Sequence, residues 1–162
     1  MLLSFLILLI IITIAYNVYA IVLNHGIPES ISSTSYIFLE CNKKYYLFNI
    51  YCVLIAIILL PIWLNISIDE WRFLVFLSCG GIIFAGMTPF FREDFHKPIH
   101  YGAGILAVVA YVLWMILSGY TKWLMWEAII TAIPIIFNYK NFVYYTEVFG
   151  ILTLIILLIT LM

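Results

Sequence analysis

The run FREDFHKPIHYGAG, residues 91–104, holds Arg92, Glu93, Asp94, His96, Lys97 and His100 in an otherwise strongly apolar chain. His96 and His100 are four residues apart, so a helix that starts near Asp94 presents both on one face. Asp94 is suited to cap that helix, and Pro98 falls in its first turn, where a missing N–H does little harm. Such a pair fits a metal ion, a proton relay or a phosphate headgroup. Zinc wants three or four ligands, and Glu29, Glu93, Asp94 or His25 would have to complete the set. Nothing in the sequence brings them together, so neither metal nor cofactor is assigned. The plain alternative is two interfacial histidines bonded to loop backbone.

Glu147 is the second group with chemical potential. It lies five residues into an apolar stretch that begins at residue 142, beside Tyr144, Tyr145 and Thr146, each a possible donor. A carboxylate inside a membrane span is costly unless paired or protonated, and therefore points to function; a tie to water or to Lys140 is the alternative. The third group is the loop PESISSTSY. Its hydroxyls at Ser30, Ser32, Ser33, Thr34 and Ser35 suggest a segment that bonds its own backbone and resists helix formation. Serine, histidine and glutamate on one face are also the set a hydrolase needs, although no GxSxG elbow is present.

The frame for these residues follows from composition. The chain has 162 residues, 67% hydrophobic and 9% charged, where a soluble domain carries about 25% charge. Most of its surface must therefore meet lipid. The net charge of −1, with no basic stripe, gives no case for nucleic acid. Apolar stretches at 1–23, 47–66, 71–90, 99–118, 121–137 and 142–162 predict six transmembrane helices in one all-α domain. They do not alternate as barrel strands would. The first lacks the basic leader of a signal peptide and is read as a retained span. The fifth is short and contains Glu127 and Pro134, so an interfacial or re-entrant segment is its alternative. Trp63, Trp71, Trp114, Trp123 and Trp126 lie toward span ends, as an aromatic belt would. Cys52 and Cys79 read as packing residues, and Asn17, Asn49 and Asn65 as helix-joining polar groups.

Six crossings put the first, third and fifth loops on one side. That side collects His25, Glu29, Ser30, Ser32, Arg92, Asp94, His96 and His100. Lys43, Lys44, Arg92, Lys97 and Lys140 on that side, against Arg72 and Lys122 on the other, favour a cytoplasmic face for it, with orientation left open. The membrane expected is the cell membrane.

Three features together resemble a known superfamily: Pro28-Glu29-Ser30-Ile31-Ser32 after the first span, His100-Tyr101-Gly102-Ala103 at the mouth of the fourth, and Glu147 opening the last. With six spans, this layout resembles the Frag/DRAM/Sfk superfamily, which groups damage-regulated autophagy modulators with membrane proteins of GPI-anchor lipid remodelling. It is also similar to small bacterial six-span proteins of unknown function. The first loop here has one extra residue between Pro and Ser-Ile-Ser, and the family's first loop lies outside or in the lumen, against the charge count. The resemblance implies a lipid-facing role with Ser30, Ser32, His100 and Glu147 as matched positions.

The expectation is a protein that binds, senses or remodels a lipid headgroup. His96, His100 and Glu147 would carry any chemistry, with Glu29, Ser30, Ser32, Arg92, Asp94 and Tyr101 contacting the ligand. Glu127, nearer the opposite side, is expected outside that pocket. An oligomeric pore lined by Glu147 or Glu127, and a structural membrane partner of another protein, are the alternatives. Membrane lipids and further copies of the chain are the expected partners.

Overall fold

The computed structural model describes residues 2–42, 44–137 and 140–161, without the side chain of Asn42; Lys43, counted above among the odd-loop cations, lies outside them. The described residues form α1 (Leu2–Leu23), α2 (Thr34–Asn42), α3 (Tyr46–Ile66), α4 (Arg72–Gly86), α5 (His96–Leu117), α6 (Thr121–Ile136) and α7 (Phe142–Leu161), with a short 3₁₀ turn at Asp69–Trp71. Four of these, α1, α3, α5 and α7, are long and apolar enough to cross a membrane. With 15 and 16 residues, α4 and α6 reach about 22–24 Å at 1.5 Å per residue, short of a hydrocarbon core of about 30 Å.

Helix ends depart from the sequence expectation for identifiable reasons. The third stretch stops at Gly86 rather than 90. Pro89 disfavours helical geometry at Thr88, and the Thr88 hydroxyl donates to the carbonyls of Phe84 and Ala85, both at 3.1 Å. The fourth starts at His96 with Phe95 at the N-cap and no side-chain cap, so Asp94 does not cap it. The first loop contains α2, contrary to the expectation that its hydroxyls oppose helix. They sit before and at the start of α2, where Ser and Thr bond free backbone groups. Helix α1 closes with a backbone Schellman turn: His25, at φ 52°, donates to Val22, and Gly26 to Ile21. His25 is thus a helix terminator.

Helix α3 is the most enclosed, with Tyr51, Ile55, Leu59, Ile62 and Trp63 all buried. On α1, by contrast, Leu3, Ile7, Ile11, Ile14 and Val22 are exposed while Leu6, Leu9 and Thr13 face inward, a disposition that suits lipid as solvent. Helices α4 and α5 meet through small residues. A Cβ on Gly81 would stand 2.6 Å from the Ala103 carbonyl oxygen, and the Ser78 hydroxyl donates to Ala107 at 3.0 Å. Trp63 and Trp114 are buried edge to face at 5.2 Å, with the Trp114 indole donating to Ser67 at 2.9 Å. These two belong to the core, not to an aromatic belt. Cys52 and Cys79 are buried and unbridged, and Asn17 joins α1 to α7 by accepting the Tyr144 hydroxyl at 2.6 Å. Asn65 is exposed.

Candidate functional site

The first, third and fifth connections meet at one end of the bundle. The Ser35 hydroxyl donates to the Pro89 carbonyl at 2.7 Å, and the Arg92 N–H donates to the Tyr36 hydroxyl at 2.8 Å. The Arg92 guanidinium lies 4.6 Å from the Tyr36 ring centre and 3.4 Å from a Glu29 carboxylate oxygen. From the fifth connection, Asn141 donates to the Ile27 carbonyl at 2.6 Å, and at the start of α7 the Tyr144 N–H reaches the Glu29 carbonyl at 3.1 Å. These contacts gather the three connections around one mouth.

His100 sits under it. Its ring is buried and stacks on Phe91 at 4.7 Å, tilted by 21°. Nδ1 lies 3.0 Å from the Ala85 carbonyl oxygen and 3.3 Å from the Thr88 hydroxyl; Nε2 lies 3.0 Å from the Ser32 hydroxyl. A carbonyl only accepts, so Nδ1 must carry the hydrogen. In the neutral ring Nε2 then holds a lone pair, and the Ser32 O–H donates to it. The close α4–α5 packing over Gly81 is what delivers the Ala85 carbonyl to this position.

The loop hydroxyls divide clearly. Ser30 and Ser33 bond each other's backbone at 2.7–3.0 Å, Thr34 donates to Ile31 at 2.6 Å and also meets the Tyr16 hydroxyl, and Ser35 bonds Ser32 and Pro89 carbonyls. Ser32 instead directs its hydroxyl to His100. The self-bonded loop read from sequence therefore holds for four of the five hydroxyls.

Glu147 accepts the Ile31 N–H at 2.5 Å. Of its expected donors, Tyr144 bonds Asn17 and Thr146 bonds the Phe142 carbonyl. Among the described residues no hydrogen bond joins Glu147 to His100. They hold consecutive loop residues, Ile31 and Ser32.

Beneath the mouth lies a cavity of about 990 Å³. Glu29, Ser30, Ser32, Arg92, His100, Tyr101 and Glu147 all line it, and so does Lys97, which the sequence did not single out as a ligand contact. The wall below is apolar, with Phe48, Ile55, Leu59, Val108, Ile151 and Leu154 among its residues. Several α5 residues on the wall, including Tyr101, Ile105 and Val108, are at least half exposed, so the cavity opens sideways on the apolar flank. Glu127 lines it too, accepting the Tyr111 hydroxyl at 2.6 Å, and the expectation that it lies apart is corrected. Tyr111 is eleven residues along α5 from His100, which makes the cavity about 16 Å deep at 1.5 Å per residue.

Two expected residues stand outside. His96 does not line the cavity and pairs with Glu93 at 3.7 Å; Asp94 is exposed and does not line it either. Helical spacing aligned His96 with His100, but it is His100, one turn further into α5, that Ala85, Ser32 and Phe91 enclose. Among the described residues no three His, Cys, Asp or Glu side chains are grouped to hold a metal ion. No protein-family model, no curated protein and no solved structure matches this chain.

Proposed function

We propose that this chain crosses the membrane six times, with α4 and α6 as short crossings, and holds a membrane phospholipid with its headgroup at the mouth and an acyl chain in the cavity. One observation carries the reading: a single cavity joins a polar opening that holds charges of both signs to an apolar wall that is open to the flank of the bundle. Arg92 and Lys97 supply positive charge for a phosphate, which would compete with the Glu29 carboxylate now 3.4 Å from the Arg92 guanidinium. The depth of about 16 Å is near half of a hydrocarbon core of about 30 Å, the reach of one leaflet. Small-molecule sites share this pattern of apolar walls with few convergent polar groups. The proposed kinship with the Frag/DRAM/Sfk superfamily draws support from Ser30, Ser32, His100 and Glu147, which all line the one cavity.

Native mass spectrometry of the full chain, released gently from detergent, tests the reading. One phospholipid should remain bound per chain. Replacing Arg92 and Lys97 together by Ala should lower retention by about tenfold, equivalent to about 1.4 kcal/mol. A chain that emerges free of lipid but conducts ions across liposomes, with conductance altered by Glu127→Gln, is a pore and not a lipid binder. Stoichiometric capture of another membrane protein, without bound lipid, would favour a docking role.

A further inference from the structure

We infer that Ser32 is an acyl-accepting nucleophile and His100 its general base, acting on the ester bond of a bound acyl lipid. The substrate class rests on the lipid-binding reading above; the nucleophile rests on its own geometry. Nucleophilic serines need three things: a base within hydrogen-bond reach, a group that holds the base in the right tautomer, and access to substrate. Ser32 Oγ is 3.0 Å from His100 Nε2. The Ala85 carbonyl, 3.0 Å from Nδ1, takes the orienting place that a carboxylate fills in a triad. Phe91 stacks on the ring and restrains its rotation. Ser32 lines the cavity, whereas Ser33, Thr34 and Ser35 do not. Ser30 also lines it, but its hydroxyl accepts the Ser33 N–H at 2.9 Å in the loop's own turn. Glu147 fixes the backbone next to the nucleophile through the Ile31 N–H, and so acts as a positioning residue.

The chemistry balances without a redox partner. Ser32 Oγ bonds to the ester carbonyl carbon while its proton passes to Nε2. The ester C–O bond then breaks, the departing alkoxide takes that proton, and an acyl-Ser32 remains. Water, or a hydroxyl of a second lipid, attacks the acyl group and returns a proton through Nε2 to Ser32. Water gives a free fatty acid; a lipid hydroxyl gives acyl exchange.

Fluorophosphonates with long and short alkyl chains test this on the full chain in nanodiscs, with the adduct located by peptide mass spectrometry. The adduct should form at Ser32 and be absent in Ser32→Ala. Labelling should slow by about 100-fold or more in His100→Gln, the usual worth of a general base, and persist in Ser33→Ala. The long-chain probe should react faster, because the cavity wall accepts its tail. Labelling at another serine, or none, in a chain that still retains its phospholipid would overturn the nucleophile and leave lipid binding standing. Adduct at Ser32 in a chain that retains no lipid would support the nucleophile and overturn the lipid reading. The wild-type labelling site is itself the readout if a variant does not fold.

Discussion

The cavity separates two parts of the bundle built by opposite packing rules. On one side α3, α4 and α5 approach almost backbone to backbone: a Cβ on Gly81 would lie 2.6 Å from the Ala103 carbonyl, and one on Gly86 would lie 2.4 Å from Cys52 Cβ. On the other side α6 and α7 pair with each other, Gly150 lying against the Glu127 carboxylate, while α5 and α7 do not close on one another. Lipid offers no hydrophobic force to press helices together, so small residues decide where they meet. Where Tyr111, Trp63, Ile151 and Leu154 face the gap, it stays open. The tight side thus acts as a mould for His100, and the loose side provides the space that Ser32 and His100 face.

Two glycine substitutions probe the contrast, and the first carries the largest effect. Gly81→Leu should lower stability by about 1–3 kcal/mol or more, the cost of overpacking, because its obstacles are two backbone atoms and an Ala107 Cβ, none of which can rotate away. Thermal unfolding in detergent should show the loss, and the fluorophosphonate label at Ser32 should fall with it as the Ala85 carbonyl leaves His100. Gly104 lines the cavity, and an added Cβ there meets nothing within 4 Å. Gly104→Trp should therefore leave the unfolding midpoint nearly unchanged while bound phospholipid is displaced. Equal destabilisation by both changes would show that the two sides are packed alike.

The mouth gives the next effect in size. Glu147→Leu strips the acceptor from the Ile31 N–H and should cost about 1–3 kcal/mol, the penalty for an unsatisfied buried donor. Glu147→Gln keeps a carbonyl oxygen and should recover most of that loss. Paired unfolding curves of the two variants separate a loop anchor from a group whose charge matters: if Gln is as harmful as Leu, the charge is the essential property.

Much of this was readable in the sequence because hydropathy reports solvent. The long apolar stretches became α1, α3, α5 and α7 within a few residues, and the even layout of breaks put Glu29, Ser32, Arg92, His100 and Glu147 at one opening. What escaped was direction and depth. A spacing of four aligned His96 with His100, yet only the later one lies under the loop. Position along the chain sets Glu127 nearer the other end of the bundle, but a cavity about 16 Å deep reaches it. The contact of Ser32 with His100 could not be told apart from those of neighbouring hydroxyls, since which of them bonds its own backbone depends on the turn they adopt. The turn at Gly86 was obscured by apolar residues that continue past it, with Pro89 as the one local signal.

The far end of the cavity and the outer turn of α5 set the two smallest expectations. Tyr111→Phe removes the 2.6 Å hydrogen bond to Glu127 and should cost about 1 kcal/mol, with lipid retention kept if the headgroup sits at the mouth. His96→Ala should change stability by no more than about 0.5 kcal/mol, since the side chain is partly exposed and its ionic neighbour Glu93, at 3.7 Å, is itself largely in solvent. Retained lipid and the rate of labelling at Ser32 should both stay at their wild-type values. Both histidines lie on α5, one turn apart and on the same face by spacing. They differ in what encloses them: His100 is held by Ala85, Ser32 and Phe91, whereas His96 lies outside the cavity. If His96→Ala slowed labelling as much as His100→Gln, the enclosure would not be the source of function, and a relay along the outer face of α5 would replace it.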